Sequence, residues 1–248
     1  TGSIIVSLGM HVTGMFGKWH LGEGEYHPSH RGFEEAIVSA GKHFNFVTDP
    51  KVEYPQGTYL ADFLTGKAVD FIRRHKDEPF LLYLPHYGVH TPLQAKPELI
   101  EKFKNKPGVG GHNNPVYAAM IASVDESVGR ILNTLNELNL DRKTLVVFTS
   151  DNGGVGGYVR EGIKPNGDIT DNAPLRGGKG MLYEGGIRVP YIFRWTGTIA
   201  AGTTCDEPIT SVDWFPTALD LAGARAPSNY ILDGVSYKKL LLKRGKGS

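Results

Sequence analysis

Apolar residues in this chain fall into two kinds of run. The short continuous ones are Val12-Thr13-Gly14-Met15-Phe16, Phe80-Leu81-Leu82-Tyr83-Leu84, Leu145-Val146-Val147-Phe148 and Val189-Pro190-Tyr191-Ile192-Phe193. Their length and their β-branched and aromatic content predict buried strands. Pro190 suits the start of its strand better than the middle. Elsewhere apolar positions recur every three or four residues. Leu60, Phe63, Leu64, Val69, Phe71 and Ile72 predict a helix over roughly 58–75. Met120, Ile121, Val124, Val128, Ile131, Leu132, Leu135 and Leu138 predict a long amphipathic helix over about 116–139. A shorter helix is predicted from Pro216, a residue tolerated in a first turn, to Gly223. Strands alternating with helices imply an α/β fold, with a mainly parallel central sheet covered by helices on both faces.

Two stretches break this rhythm. Residues 105–115 are rich in Asn, Pro and Gly, and residues 151–180 are rich in Gly and poor in apolar residues. A long Gly-rich loop in a compact domain is usually functional or mobile.

Composition narrows the function classes. The 248 residues are 40% hydrophobic, which is ordinary for a globular domain. A formal net charge of +1 lacks the basic excess of a general nucleic-acid binder. The basic cluster Lys238, Lys239, Lys243, Arg244 and Lys246 reads as a solvated tail. Cys205 is the one cysteine, so an intramolecular disulfide is impossible, and it reads as a structural or surface residue. No apolar stretch reaches the roughly 18 residues that a membrane span requires. The chain opens on Thr1-Gly2-Ser3, with no initiator Met and no signal-peptide pattern, and the expectation is a fragment or a processed product.

The candidate chemistry follows strand-like runs or lies in the long loop. Lys18 and His20 follow the first strand; His86 and His90 follow the second; Asp151 and Asn152 follow the third; Lys179 stands among glycines. Open α/β sheets keep their ligand sites beyond the carboxyl ends of strands. Asp151 and Asn152 offer an anionic and a neutral oxygen, which suits a hard cation such as Ca²⁺ or Mg²⁺. Lys18 and Lys179 are flexible point charges suited to a tetrahedral anion. His20 and His90 are candidates for proton transfer or oxyanion contact near neutral pH. Together these groups form a kit for hydrolysing a charged ester. Each also has a plainer reading: Asp-Asn-Gly-Gly as a turn, His86 and His90 as brackets of a turn before Pro92, and Trp19 as a core residue. Tyr158, Arg160, His27, His30 and His43 are further pocket candidates that no motif places.

The segments GKWHLG at 17–22, PHYGVHTP at 85–92, SDNGG at 150–154 and PLRGGKGMLYEGGIRVP at 174–190 resemble the type I sulfatases of the alkaline-phosphatase superfamily. Ser211–Thr217 and Asp233–Ser236 extend the resemblance, in family order, across nearly the whole chain. The resemblance implies an alkaline-phosphatase-like core and the hydrolysis of sulfate esters of aryl or carbohydrate substrates. It implies Asp151 and Asn152 as metal ligands, usually for Ca²⁺, and Lys18, His20, His90 and Lys179 as groups that hold sulfate and assist the leaving group. Arg176, Glu184, Gly185, Gly186 and Arg188 match the signature as loop-shaping residues. Export to the periplasm, the outside of the cell or the lysosome is implied as well.

The departures are equally specific. The family's nucleophile is a formylglycine made within a Cys/Ser-x-Pro/Ala-x-Arg motif upstream of GKWHLG. Sixteen residues precede Gly17, and none form it. Cys205 is followed by Asp206-Glu207-Pro208-Ile209 and does not match either. The family's paired N-terminal Asp ligands are also missing. The expectation is therefore an incomplete sulfatase core: a catalytic domain over 1–235, followed by the start of a C-terminal region or tail over 236–248. The alternatives are a phosphate or phosphonate ester hydrolase on the same fold, or a catalytically inactive module that binds sulfated glycans.

Overall fold

The computed structural model describes residues 12–156, 169–226 and 228–243. Strand β1 (Val12–Gly17) is buried along its whole length. It pairs in parallel with β2 (Glu35–Val38) on one side and with β3 (Phe80–Tyr83) on the other, giving the order β2-β1-β3. Side chains alternate along a strand. Val12 and Phe16 pack with Leu60, Leu64, Ala68 and Phe71 of helix α1 (Leu60–Arg74). Thr13, from the alternate set, donates to Gly32 O and accepts from Glu34 N. Helix α1 carries the chain from β2 to β3, the crossover that non-adjacent parallel strands require.

Helix α3 (Pro115–Glu137) begins at Asn114, whose side chain accepts from Tyr117 N (3.0 Å), with Pro115 in the first turn. Its Leu135 joins Ile72 of α1 and Leu140 in a core onto which Phe80 and Leu82 of β3 and Val146 pack. Helix α2 (Pro97–Lys104) lies against α3 through Ala95, Leu99, Ala119 and Met120. Neither α2 nor β2 stands out in the apolar pattern. The first buries only Leu99, and the second is four half-buried residues.

Strand β4 (Val146–Thr149) pairs with β5 (Tyr191–Arg194) antiparallel, from Val146↔Arg194 to Thr149↔Tyr191. The parallel arrangement that alternation predicts therefore holds for β1–β3 and not for this pair. Between the two strands, the described chain contains only the one-turn helix α4 (Glu184–Ile187), which is no crossover. The chain enters β5 from the end where it left β4. Helix α5 (Trp214–Leu221) starts two residues before the predicted Pro216, behind a 3₁₀ turn at Ser211–Asp213 closed by a Thr210–Asp213 capping box.

The C-terminal basic cluster is not wholly a solvated tail. Lys238–Lys243 form helix α6, and Lys238 Nζ donates to Asp220 O (2.6 Å). Tyr237 is buried, and its backbone N–H donates to Thr217 Oγ1 (2.9 Å). Arg244 and Lys246 lie outside the described residues, as do Tyr158 and Arg160. No helix among the described residues is long and apolar enough to cross a membrane.

Under the 85–92 loop lies a buried polar chain. His86 Nε2 and Ser127 Oγ are 2.8 Å apart, and Ser127 Oγ and Thr65 Oγ1 are 2.6 Å apart, linking the loop to α3 and α1. Burial pushes the His86 imidazole down to about 4 from its ordinary 6.5, so it stays neutral at pH 7.

Two predictions follow from these contacts. An added Cβ at Gly66 in α1 or at Gly129 in α3 meets nothing within 4 Å, whereas at Gly14 it meets the Phe71 ring at 2.8 Å. Gly66→Ala and Gly129→Ala should each raise the urea-unfolding free energy by about 0.5–1 kcal/mol. Gly14→Ala should lower it. Between pH 6.5 and 4 the unfolded chain takes up a proton at His86 that the folded chain refuses. Stability from this source is complete above that window and falls as pH drops through it, by about 3 kcal/mol. Urea titrations at pH 7 and pH 4 should show the wild type losing that much more than His86→Gln; equal losses would contradict it.

Candidate active site

Parallel pairing places the carboxyl ends of β1 and β3 at one edge of the sheet. The chain leaves β1 at Gly17, whose φ is +146°, and Lys18 N donates to Pro85 O (2.7 Å) in the loop that follows β3. A side chain at Gly17 would collide with that same carbonyl, so only glycine permits the approach. The contact sets GKWHLG beside PHYGVHTP. Lys18 Nζ lies over the Tyr87 ring, 5.6 Å from its centroid. Among the described residues, its ammonium has no hydrogen bond or ion pair. The Tyr87 hydroxyl is 3.2 Å from His90 Nδ1.

The state of His90 follows from its partners. Nδ1 lies 2.8 Å from Thr91 O, an acceptor, so Nδ1 carries the hydrogen. Nε2 is then the nitrogen left to take or give a proton. His43 supports this ring from below rather than lining a pocket. It is 1% exposed, stacks with Tyr59, lies tilted against Tyr87, and its Nε2–H donates to His90 O (2.8 Å). Burial holds the His43 imidazole below its ordinary value. His20 is exposed and has no partner among the described residues. Trp19 takes a packing role: its Nε1–H donates to Tyr26 O (2.9 Å), and its ring meets Phe33 edge-on.

Past β4, Ser150 Oγ donates to Asn152 O (2.8 Å), and Asn152 Nδ2 donates to Gly153 O (2.8 Å). The Asn152 amide oxygen is thereby left without a partner among the described residues. So is the exposed Asp151 carboxylate, although its charge, after burial, helps to push the Tyr83 phenol up. Asp151 therefore acts on the end of β3.

The Gly-rich loop is laced to this turn rather than loose where it is described. Gly153 N donates to Gly186 O (2.9 Å), Lys179 N to Gly154 O (2.9 Å), and Gly185 N to Arg176 O (2.8 Å). Asn172 is the hub, accepting from Gly154 N and donating to Gly154 O and Gly177 O. A Cβ on Gly153 would strike Gly185 O, and one on Gly178 would strike Gly156 O. These glycines let one backbone lie directly on another. Arg176 lies over the Tyr183 ring at 3.9 Å, and Arg188 pairs with Glu184 at 3.2 Å, which fits their reading as loop-shaping residues.

The structure thus groups Lys18 with His90 through Tyr87, and Lys179 with Asp151 and Asn152 through the glycine lacing. Sequence reasoning missed Tyr87 and Asn172, and it read His43 as a pocket candidate where the structure makes it a buried support. Their flanking residues read as turns, and nothing local announces a hub. His27 and His30 do line clefts, beside the 3₁₀ turns at Gly24–Tyr26 and Pro28–His30.

Residues 9–224 match the family model described as Sulfatase. Human steryl-sulfatase is 42% identical over 184 residues, which cover 73% of this chain and 29% of that protein. Mouse N-acetylgalactosamine-6-sulfatase is 31% identical over 252 residues, 92% of this chain and 46% of that protein. The crystal structure of Ps i-CgsB in complex with k-i-k-neocarrahexaose superimposes with a TM-score of 0.84 at 30% identity, over 98% of this chain and 57% of that one. The chain spans less than a third of the steryl-sulfatase it matches. With the lysine and histidine segments set at the carboxyl edge of the parallel sheet, the Asp-Asn segment at the end of β4 in the antiparallel pair, and the match running from residue 9 to residue 224, the chain belongs to the sulfatase family.

Proposed function

We propose that the polypeptide carrying this chain hydrolyses sulfate esters, and that these residues hold the sulfate group and serve the leaving alcohol. The observation that carries the reading is the half-buried Lys18 ammonium, without a hydrogen bond or ion pair among the described residues, at the strand edge beside His90. An unpaired cation in that position suits an anionic substrate group. Lys18 and Lys179 offset the charge on the sulfate oxygens. His90, with Nδ1–H fixed by Thr91 O, offers Nε2 for proton transfer, and the exposed His20 imidazole serves the departing alkoxide. A formylglycine nucleophile is what the family resemblance implies. No Cys/Ser-x-Pro/Ala-x-Arg run occurs among the 248 residues, so another segment would supply it.

The donor chemistry at the Asp151 turn fits a hard cation. A carboxylate and an amide oxygen are both left open, the second because Nδ2 is committed to Gly153 O. Asp151 and Asn152 would hold Ca²⁺, which when bound supplies positive charge to a sulfate oxygen. Among the described residues no group of three or more His, Cys, Asp or Glu side chains converges as an ion site. Two oxygens fall short of the shell of about six to eight that Ca²⁺ takes. Calorimetry on the 248-residue chain should therefore show only weak Ca²⁺ binding; tight one-to-one binding would contradict this.

Activity is tested in the natural polypeptide. 4-Nitrophenyl sulfate should turn over much faster than 4-nitrophenyl phosphate or a phosphonate monoester, and the reverse order would favour the alternative ester class. Lys18→Met or Lys179→Met should each lower kcat/KM by roughly 10²–10³-fold, the range seen when one donor to developing charge is lost. Unchanged kinetics in both variants would refute the assigned roles.

A further inference from the structure

The segment Tyr87–Thr91 folds back on itself. His90 N donates to Tyr87 O (2.9 Å), and this turn lays the His90 ring against the Tyr87 ring, with centroids 5.1 Å apart. Tyr87 is buried and held by its neighbours. The His43 ring lies 4.9 Å from it, and Lys18 Nζ lies over it at 5.6 Å. One side chain therefore touches both the cation assigned to sulfate and the imidazole assigned to proton transfer. Its hydroxyl donates to Thr91 O (2.5 Å), the same carbonyl that accepts from His90 Nδ1 (2.8 Å). A carbonyl oxygen has two lone pairs, so both bonds can be met at once.

Three oxygens stand around His90 Nδ1: Thr91 O at 2.8 Å, Tyr87 Oη at 3.2 Å and Thr91 Oγ1 at 3.4 Å. The first can only accept. The second has given its hydrogen to Thr91 O, so towards Nδ1 it too can only accept. Both contacts favour a hydrogen on Nδ1. The third works the other way when the Thr91 hydroxyl turns and donates to Nδ1. That would move the ring hydrogen to Nε2 and remove the lone pair that a proton acceptor needs. Which tautomer wins depends on the direction of the Thr91 carbonyl. That carbonyl sits on the residue next to His90, and the Tyr87 hydroxyl holds it from across the turn.

We propose that Tyr87 is a positioning residue for His90: its hydroxyl, through Thr91 O, keeps the ring hydrogen on Nδ1 and the Nε2 lone pair open, while its ring seats the Lys18 ammonium. The proposal rests on the sulfatase reading above and names a further residue on which that site depends. Tyr87→Phe separates the two tasks, since the ring stays and the hydroxyl goes. Heteronuclear NMR of the imidazole nitrogens in the 248-residue chain, at mildly alkaline pH, should show the hydrogen on His90 Nδ1 in the wild type. In Tyr87→Phe the ring should be shared between both tautomers. Tyr54→Phe is the control for general loosening of the core: it also removes a hydroxyl bonded to a carbonyl, that of Phe46, and should leave the His90 tautomer alone. In the natural polypeptide, Tyr87→Phe should lower kcat on 4-nitrophenyl sulfate roughly tenfold, the worth of about one hydrogen bond, and keep KM within about twofold because the ring under Lys18 remains. A tautomer that Tyr87→Phe leaves unchanged, or that Tyr54→Phe shifts as far, overturns the proposal, as does an unchanged kcat. If the tautomer shifts in Tyr87→Phe but no form turns over a sulfate ester, the sulfatase reading fails and the hold of Tyr87 on the ring stands. Ester turnover with an unmoved tautomer is the reverse case.

Discussion

Close approach of one backbone to another is the constraint on which the rest of this site depends. At several places the chain lies so near a carbonyl oxygen that no side chain fits between, and two of them set the site. Gly17 rests against Pro85 O, and Gly153 rests against Gly185 O. The first contact fixes the loop carrying Lys18 to the loop carrying His90. The second fixes the Asp151-Asn152 turn to the segment carrying Lys179. Hydrogen bonds from Lys18 N, Gly153 N and Lys179 N run along the same seams. The glycines are therefore structural parts of the site, and the side chains that project from it are positioned by backbone atoms.

Electrostatics then follows from placement. The Lys18 ammonium and the Asp151 carboxylate stand at strand ends without an ion pair among the described residues. Under the 85–92 loop beside Lys18, His43 and His86 are held neutral by burial, so they add no fixed positive charge there. The unpaired groups that remain at the surface are the ones that suit an anionic ester and a hard cation. That contrast, neutral imidazoles under the loop and open charges at the strand ends, is what makes this site different from an ordinary sheet end.

Much of this was legible in the chain. The periodic runs at 60–72 and 120–138 became α1 and α3, because a long amphipathic face must be buried against something. Strands β1, β3 and β4 lie within one residue of where their apolar runs predict. Helix α2 was illegible because it presents a single buried residue, Leu99, and β5's direction was illegible because periodicity carries no orientation. In the site, the charged residues announced themselves by type, and their supports did not. Asn172 looks like any turn asparagine until Gly154 and Gly177 are brought to it in space. His43 sits 47 residues from the carbonyl it holds, a distance no local pattern spans.

The lacing of the glycine segments is the central claim, and backbone amide exchange reads it directly. The amides of Gly153, Lys179 and Gly185 should exchange slowly and with one shared opening free energy, since they close a single seam. In Gly153→Ala all three should lose protection together, while amides inside α1 keep theirs. Exchange of these three at open-loop rates in the wild type, or loss at residue 153 alone in the variant, would contradict the account.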